Sequence, residues 1–164
     1  MSYIDSIASA LQTALCLQYV PSRTAERQTR PEVELSQNQD MIYPPIMLQK
    51  SPEQKVLVES SVNSVRVSVL FKKTDQVDQY LTNKYLRFIE SQADDLKIIR
   101  KTPVSGYDFS FLITYQLVEQ HGKPKLVQFV CDFVENTEKE VNSLKLKVSE
   151  RATAVMKQWT DETK

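Results

Sequence analysis

The chain has 164 residues, the size of one ordinary domain, long enough to bury a core without a disulfide or metal staple. Its 21 Lys and Arg offset 21 Asp and Glu, giving zero formal net charge, which argues against a protein that mainly grips nucleic-acid phosphates. A 41% hydrophobic, 26% charged composition is globular rather than disordered. Only Gly106 and Gly122 are glycines, so G-x-G-x-x-G, Walker A and G-x-S-x-G sites, which need backbone at positive φ or in close approach to a ligand, are excluded.

The single histidine, His121, lies beside Gly122 and Pro124 and reads as a solvated turn residue. A His-rich metal site is therefore not expected, nor is a His-based acid-base pair. Cys16 and Cys131 are too far apart for a zinc or redox motif, and each sits among apolar residues of a helical pattern. They are expected to be reduced structural thiols. The first residues carry Asp5 and no basic run, and Ser9, Gln12 and Thr13 interrupt the apolar positions, unlike a secretory leader. No stretch approaches the ~18 apolar residues of a membrane span.

In chain order, Ile4, Ile7, Ala8, Leu11, Ala14 and Leu15 recur at three- and four-residue steps and predict an amphipathic helix over about 2–17. Pro21 and Pro31 bracket an arginine-rich polar arm, which ends in a short extended piece at Glu32 to Leu35. The period then falls to two. Short strands are predicted at Ile46 to Gln49 and Lys55 to Ser60, and a half-buried third where Val65, Val67, Val69 and Phe71 alternate with polar neighbours. Thr74 and Asp75 suit the start of a second helix, with an apolar stripe of Val77, Tyr80, Leu81, Tyr85, Phe88 and Ile89 running to about Ala93. A hairpin follows: Leu96 to Lys101, a turn from Thr102 to Gly106, and Tyr107 to Leu117 with an apolar residue at every odd position.

From Pro124 onward, Leu126, Val130, Phe133, Thr137, Val141, Leu144, Val148, Ala152, Val155 and Trp159 follow at steps of three or four, predicting one long helix over about 124–160. About 36 helical residues make a rod of roughly 50 Å, against about 40 Å for a compact body of this length. Part of the helix should therefore overhang. Its apolar face is wide from Leu126 to Val134, suited to a sheet, and narrows from Val141 to Trp159 to a seam of the kind one helix offers another. The seam is expected to dock on a partner chain. The alternative is a bend at Asn142-Ser143 that folds it back on the body.

Several stretches resemble one known family. Val62-Asn63-Ser64-Val65-Arg66-Val67-Ser68, Pro31-Glu32-Val33-Glu34, the run from Pro103 to Thr114, Ala14-Leu15-Cys16-Leu17, and Lys125-Leu126 with Phe129-Val130 and Phe133 occur in the order and at the total length of the roughly 20 kDa subunit 4 family of the actin-nucleating actin-related protein 2/3 complex. The resemblance implies an α+β scaffold domain over 1–164, with a sheet-and-helix body at about 32–118 flanked by helices and a long C-terminal helix packed on a partner subunit. It implies no enzyme activity and no cofactor. The implied partners are subunit 2, in a helix-helix heterodimer, both actin-related proteins, the other complex subunits, and the mother actin filament. Neither nucleic acid nor membrane insertion is implied. The implied location is the cytoplasmic actin cytoskeleton, including cortical patches and cell projections.

Carried onto this sequence, the partner seam falls on Val141, Leu144, Val148, Val155 and Trp159. A basic filament contact falls on Arg100 and Lys101 before the Pro103 turn, with Arg87 a further candidate and Thr102 where a third basic residue is expected. A local basic cluster on a neutral chain suits an acidic filament. Arg66, on a polar strand face, is expected in an interface or an internal ion pair. Asp108 and Ser110 share a strand face with no histidine near them in sequence, so no nucleophile-base pair can be named. The competing reading is a self-contained protein- or lipid-binding adaptor using Lys72-Lys73, Arg100-Lys101 and Lys123/Lys125, against which zero net charge argues.

Overall fold

The computed structural model describes residues 2–18, 31–35, 42–72, 76, 79–81, 83–84, 87, 98–100, 102–140 and 143. Within them the fold is α+β. Strands β1 (Ile46–Ser51), β2 (Gln54–Ser60), β3 (Ser64–Leu70) and β4 (Phe109–Thr114) form one antiparallel sheet in the order β1-β2-β3-β4. Helices are α1 (Tyr3–Ala14), α2 (Glu32–Leu35), α3 (helical at 76, 79–81, 83–84 and 87), α4 (Tyr115–His121) and α5 (123–140, with 143 also helical).

Register explains the core. Val56 pairs with Val69, Val58 with Val67, Val67 with Phe111, Val65 with Ile113 and Val69 with Phe109, so one face of the sheet is a continuous apolar surface. Helix α1 adds Ile7, Leu11 and the capping Leu15, and α5 adds Leu126, Val130, Phe133 and Val134 to the same buried cluster. The Ser2 side chain accepts from Asp5 N at 3.1 Å and starts α1. The helix stops at Ala14, short of the expected Leu17, because the chain turns so that Gln18 N reaches Val62 O at 2.7 Å. Cys16 therefore lies beyond the helix and is exposed, not a small core hydrophobe, whereas Cys131 is buried as expected.

Four further expectations are corrected. Glu32 to Leu35 is a single helical turn, not an extended piece. β3 is buried on both faces rather than half-buried. Ser64, Ser68 and Ser110 are fully buried opposite the valines, and the Ser68 and Ser110 hydroxyls bond each other at 2.9 Å. The turn after Pro103 lies over them, with Val104 N donating to Ser110 Oγ at 3.0 Å, a close approach that small side chains permit. The odd-position alternation does not stay in one strand to Leu117. Thr114 caps α4 by accepting from Leu117 N, so Tyr115 and Leu117 are helical. His121 closes α4 half-buried rather than sitting in a solvated loop. Gly122, at φ 85°, turns the chain directly into α5, with Pro124 in its first turn.

The expected strand before Pro103 is reduced, at 98–100, to one bridge between Ile99 and Phe111, with Leu112 N donating to Ile98 O and Arg100 N to Ser110 O. In α3 Leu81 is buried, but Tyr80 faces solvent and is not part of the apolar stripe. Thr74, Asp75, Val77, Tyr85, Phe88, Ile89 and Leu96 lie outside the described residues.

Candidate interaction surfaces

The proximal half of α5 is locked to the sheet by aromatic packing. Phe133 stands edge-on to Phe109 at 4.4 Å and to Phe111 at 5.1 Å between ring centroids, and Phe129 stands edge-on to Phe111 at 6.0 Å. Thr137 is still buried, and Glu138 reaches back to Lys50 on β1 at 3.3 Å. The next two residues, Lys139 and Glu140, are exposed. The candidate seam residues Val141, Leu144, Val148, Val155 and Trp159 lie outside the described residues.

The motif around Asn63 is a clamp on α2. Asn63 Oδ1 accepts from Glu32 N at 3.0 Å and Ser64 Oγ accepts from Val33 N at 3.1 Å. Ser61 Oγ joins both, at 3.3 Å to Asn63 Oδ1 and 2.9 Å to Ser64 Oγ. Two backbone amides at the start of a one-turn helix thus find buried acceptors, and that tertiary pairing is what makes these four residues helical. The clamp also fixes Glu34, whose carboxylate lies 3.3 Å from Arg100 and 4.0 Å from Arg66. Arg66 binds Glu59 through Nε and Nη2 at 3.1 and 3.0 Å, the internal ion pair its position suggested.

Arg100, a candidate filament contact, is therefore engaged inside the chain: besides Glu34, its guanidinium donates to Thr102 O at 2.9 Å. Lys101 lies outside the described residues. Arg87 is exposed on α3, far in sequence from this network. The Asp108 carboxylate accepts from Phe71 N at 2.8 Å and Ser110 holds the Pro103 turn, so both polar groups serve architecture. Sequence reading missed two surface features. Lys84 Nζ stands 5.9 Å from the centre of the exposed Tyr80 ring. Ile42, Tyr43, Ile46 and Met47 form an exposed apolar group along the β1 edge. The Pro44-Pro45 pair within the second was legible as an edge signal, since proline cannot donate to a ladder.

Four groups titrate above their ordinary range, Cys131, Tyr3, Tyr107 and Lys139, the first two by the most. Burial, with smaller contributions from Asp132, Glu135 and Asp5, pushes the Cys131 thiol up to about 11. Burial and then Glu138 push the Tyr3 phenol up to about 12. Lys123 Nζ approaches Cys16 Sγ at 3.1 Å. Among the described residues no group of three or more His, Cys, Asp or Glu could hold a metal ion, and no helix is long and apolar enough to cross a membrane.

Comparison with known proteins bears on the whole chain. The family model for the ARP2/3 complex 20 kDa subunit (ARPC4) matches residues 1–162. Actin-related protein 2/3 complex subunit 4 of Dictyostelium discoideum is 37% identical over 157 residues, covering 96% of this chain and 93% of that protein. The subunit of the same name in Saccharomyces cerevisiae is 37% identical over 161 residues, covering 98% and 94%. The probable subunit 4 of Caenorhabditis elegans is 37% identical over 150 residues, covering 92% and 89%. Near-complete coverage at this identity, together with a four-stranded antiparallel sheet crossed by a long C-terminal helix, makes the chain a member of the family of the ARP2/3 complex 20 kDa subunit.

Proposed function

We propose that this chain is a non-catalytic core scaffold subunit of the actin-related protein 2/3 complex. In this reading it forms a single domain over 1–164 and pairs with subunit 2. Together they hold the two actin-related proteins and rest on the side of the mother filament, so that the complex can start a branch. It works in the cytoplasmic actin cytoskeleton, at cortical patches and cell projections. The observation that carries this reading is the family match over residues 1–162.

The architecture supports it in two ways. The aromatic lock between α5 and the sheet gives the long helix a rigid base, as a helix presented to a partner requires. Asp108, Ser110 and Arg66, the polar residues most suggestive of chemistry in the sequence, are occupied by internal bonds. The partner seam is assigned to Val141, Leu144, Val148, Val155 and Trp159 from their spacing and the family resemblance, and the filament contact to Arg100, Lys101 and Arg87. ATP handling is left to the actin-related subunits, and no cofactor is required here.

Reconstitution tests the reading. A complex assembled from the other subunits with this chain should form branches on pre-formed filaments, viewed by fluorescence microscopy. Assembly and branching of equal efficiency when the chain is left out would refute a core scaffold role.

A further inference from the structure

We propose that Cys16 and Lys123 are a redox-sensitive modification site, joined by a sulfenamide bridge between the end of α1 and the start of α5 when the protein meets a peroxide. Lys123 Nζ stands 3.1 Å from Cys16 Sγ, across 107 positions of sequence, within the ~3–3.5 Å from which reacting atoms attack. Backbone bonds hold both residues there. Cys16 follows the cap of α1, with its N–H on Thr13 O at 3.3 Å, and Gln18 N is tied to Val62 O at 2.7 Å. Opposite it, Gly122 donates to Val118 O at 2.8 Å and turns the chain at φ 85°, so that Lys123 opens α5 beside Cys16. Cys16 is exposed, which lets a small oxidant reach its sulfur.

The surroundings decide which product an oxidised Cys16 gives. A disulfide within the chain is not open to it. The second cysteine, Cys131, is buried in the core cluster within reach of Asp5 in the first turn of α1, whereas Cys16 follows the last turn. The amine of Lys123 is at hand instead, and among the described residues it has no ion pair with a carboxylate. In the first step the Cys16 thiolate attacks a peroxide oxygen. The O–O bond breaks, sulfur is oxidised by two electrons to the sulfenic acid, and the departing hydroxide takes the thiol proton and leaves as water. In the second step the Lys123 ammonium gives one proton to solvent and its nitrogen attacks Sγ. The S–N bond forms, the S–O bond breaks, and the hydroxyl leaves as water with a second proton from the nitrogen. Two equivalents of a thiol reverse the reaction and are themselves oxidised to a disulfide. The bridge would shield Cys16 from irreversible oxidation to the sulfinic acid and tie the base of α5 to α1.

The test treats the full-length chain, in its assembled complex, with hydrogen peroxide and reads it by intact mass and by peptide mapping without reductant. The chain should become lighter by two hydrogens and yield one peptide pair joined through Cys16 and Lys123, both changes reversed by dithiothreitol. Cys16→Ser and Lys123→Arg should each abolish the joined peptides. Lys123→Arg, which keeps the charge, should also raise sulfinic acid at Cys16 severalfold after the same exposure. Sulfinic acid at Cys16 of the unaltered chain, equal to that of Lys123→Arg and with no joined peptides, would overturn the inference. So would a two-hydrogen loss that persists in Lys123→Arg, a disulfide from Cys16 to another subunit, or a Cys16 that peroxide leaves unchanged.

Discussion

Ser64→Ala isolates the clamp that holds α2 on the sheet. The substitution removes one oxygen from a fully buried side chain and leaves almost no cavity. Val33 N, which donates to Ser64 Oγ at 3.1 Å within a buried contact, loses that acceptor. Ser61 Oγ keeps Ser64 O at 3.1 Å and Asn63 Oδ1 at 3.3 Å, and Glu32 N keeps Asn63 Oδ1. One buried amide is therefore orphaned, at a cost of about 1–3 kcal/mol, with about 2 kcal/mol expected. For a chain of this size that lowers the melting temperature by about 4–8 °C. Thermal unfolding should show the shift, and amide exchange at Val33 and Glu34 should accelerate far more than at Val67 in the sheet centre. A change below about 0.5 kcal/mol, or unaltered exchange at Val33, would refute the claim that this bond fixes α2 and, through Glu34, the Arg100 pairing.

Phe133→Ala removes the ring that meets Phe109 and Phe111 and should cost about 3–5 kcal/mol, read as a shift of the unfolding midpoint in urea. Gly122→Ala has room for a Cβ, its nearest neighbour being Pro124 Cδ at 4.0 Å, yet forces an L side chain to φ 85°. A loss of about 1–3 kcal/mol is expected from backbone strain alone, and an unchanged midpoint would contradict it. The contribution of Cys131 and Tyr3 to stability should be constant below about pH 9 and fall between there and pH 12. Cys131 rises from 9.0 to about 11 and Tyr3 from 10.0 to about 12, so the unfolded chain loses its protons first and rising pH favours it. The Cys131 share is on the order of 2 kcal/mol, and Cys131→Ala should flatten the lower part of that decline in a pH-resolved denaturation series.

Periodicity carried the elements whose state is decided locally or by a single face. The three-four spacing of Ile7, Leu11 and Leu15 and the two-residue spacing of Val65, Val67 and Val69 both survive in the structure because each follows the geometry of its own element. What sequence could not supply were bonds between residues far apart in the chain. Glu32 to Leu35 is helical because of acceptors 31 residues away, and nothing in Glu-Val-Glu-Leu announces it. The alternation past Thr114 misled because Tyr115 and Leu117 are apolar in either state, while the cap on Thr114 decides between them. Ser68 and Ser110 look like solvent-facing strand positions until the Pro103 turn lies over them.

The same limit governs the candidate sites. Arg100 has the composition of a free basic patch, and only the fold brings Glu34 to 3.3 Å from it. Arg66 was legible as an ion-pair residue because its charge stands on a strand beside a core motif, though Glu59 as its partner follows from the β2–β3 register. Tyr80 was misassigned to the apolar stripe, since an aromatic at a three-four step looks the same whether a core or a partner is meant to cover it.

The central claim, that this chain is a scaffold built to present a long helix to subunit 2, is tested most directly by co-expression of the two chains with one of them tagged. The full-length chain should co-purify with subunit 2 as a stable stoichiometric pair, and a chain truncated after Asn142 should be lost from it while its sheet body remains folded by circular dichroism. A truncated chain that still pairs stably with subunit 2 would contradict the account.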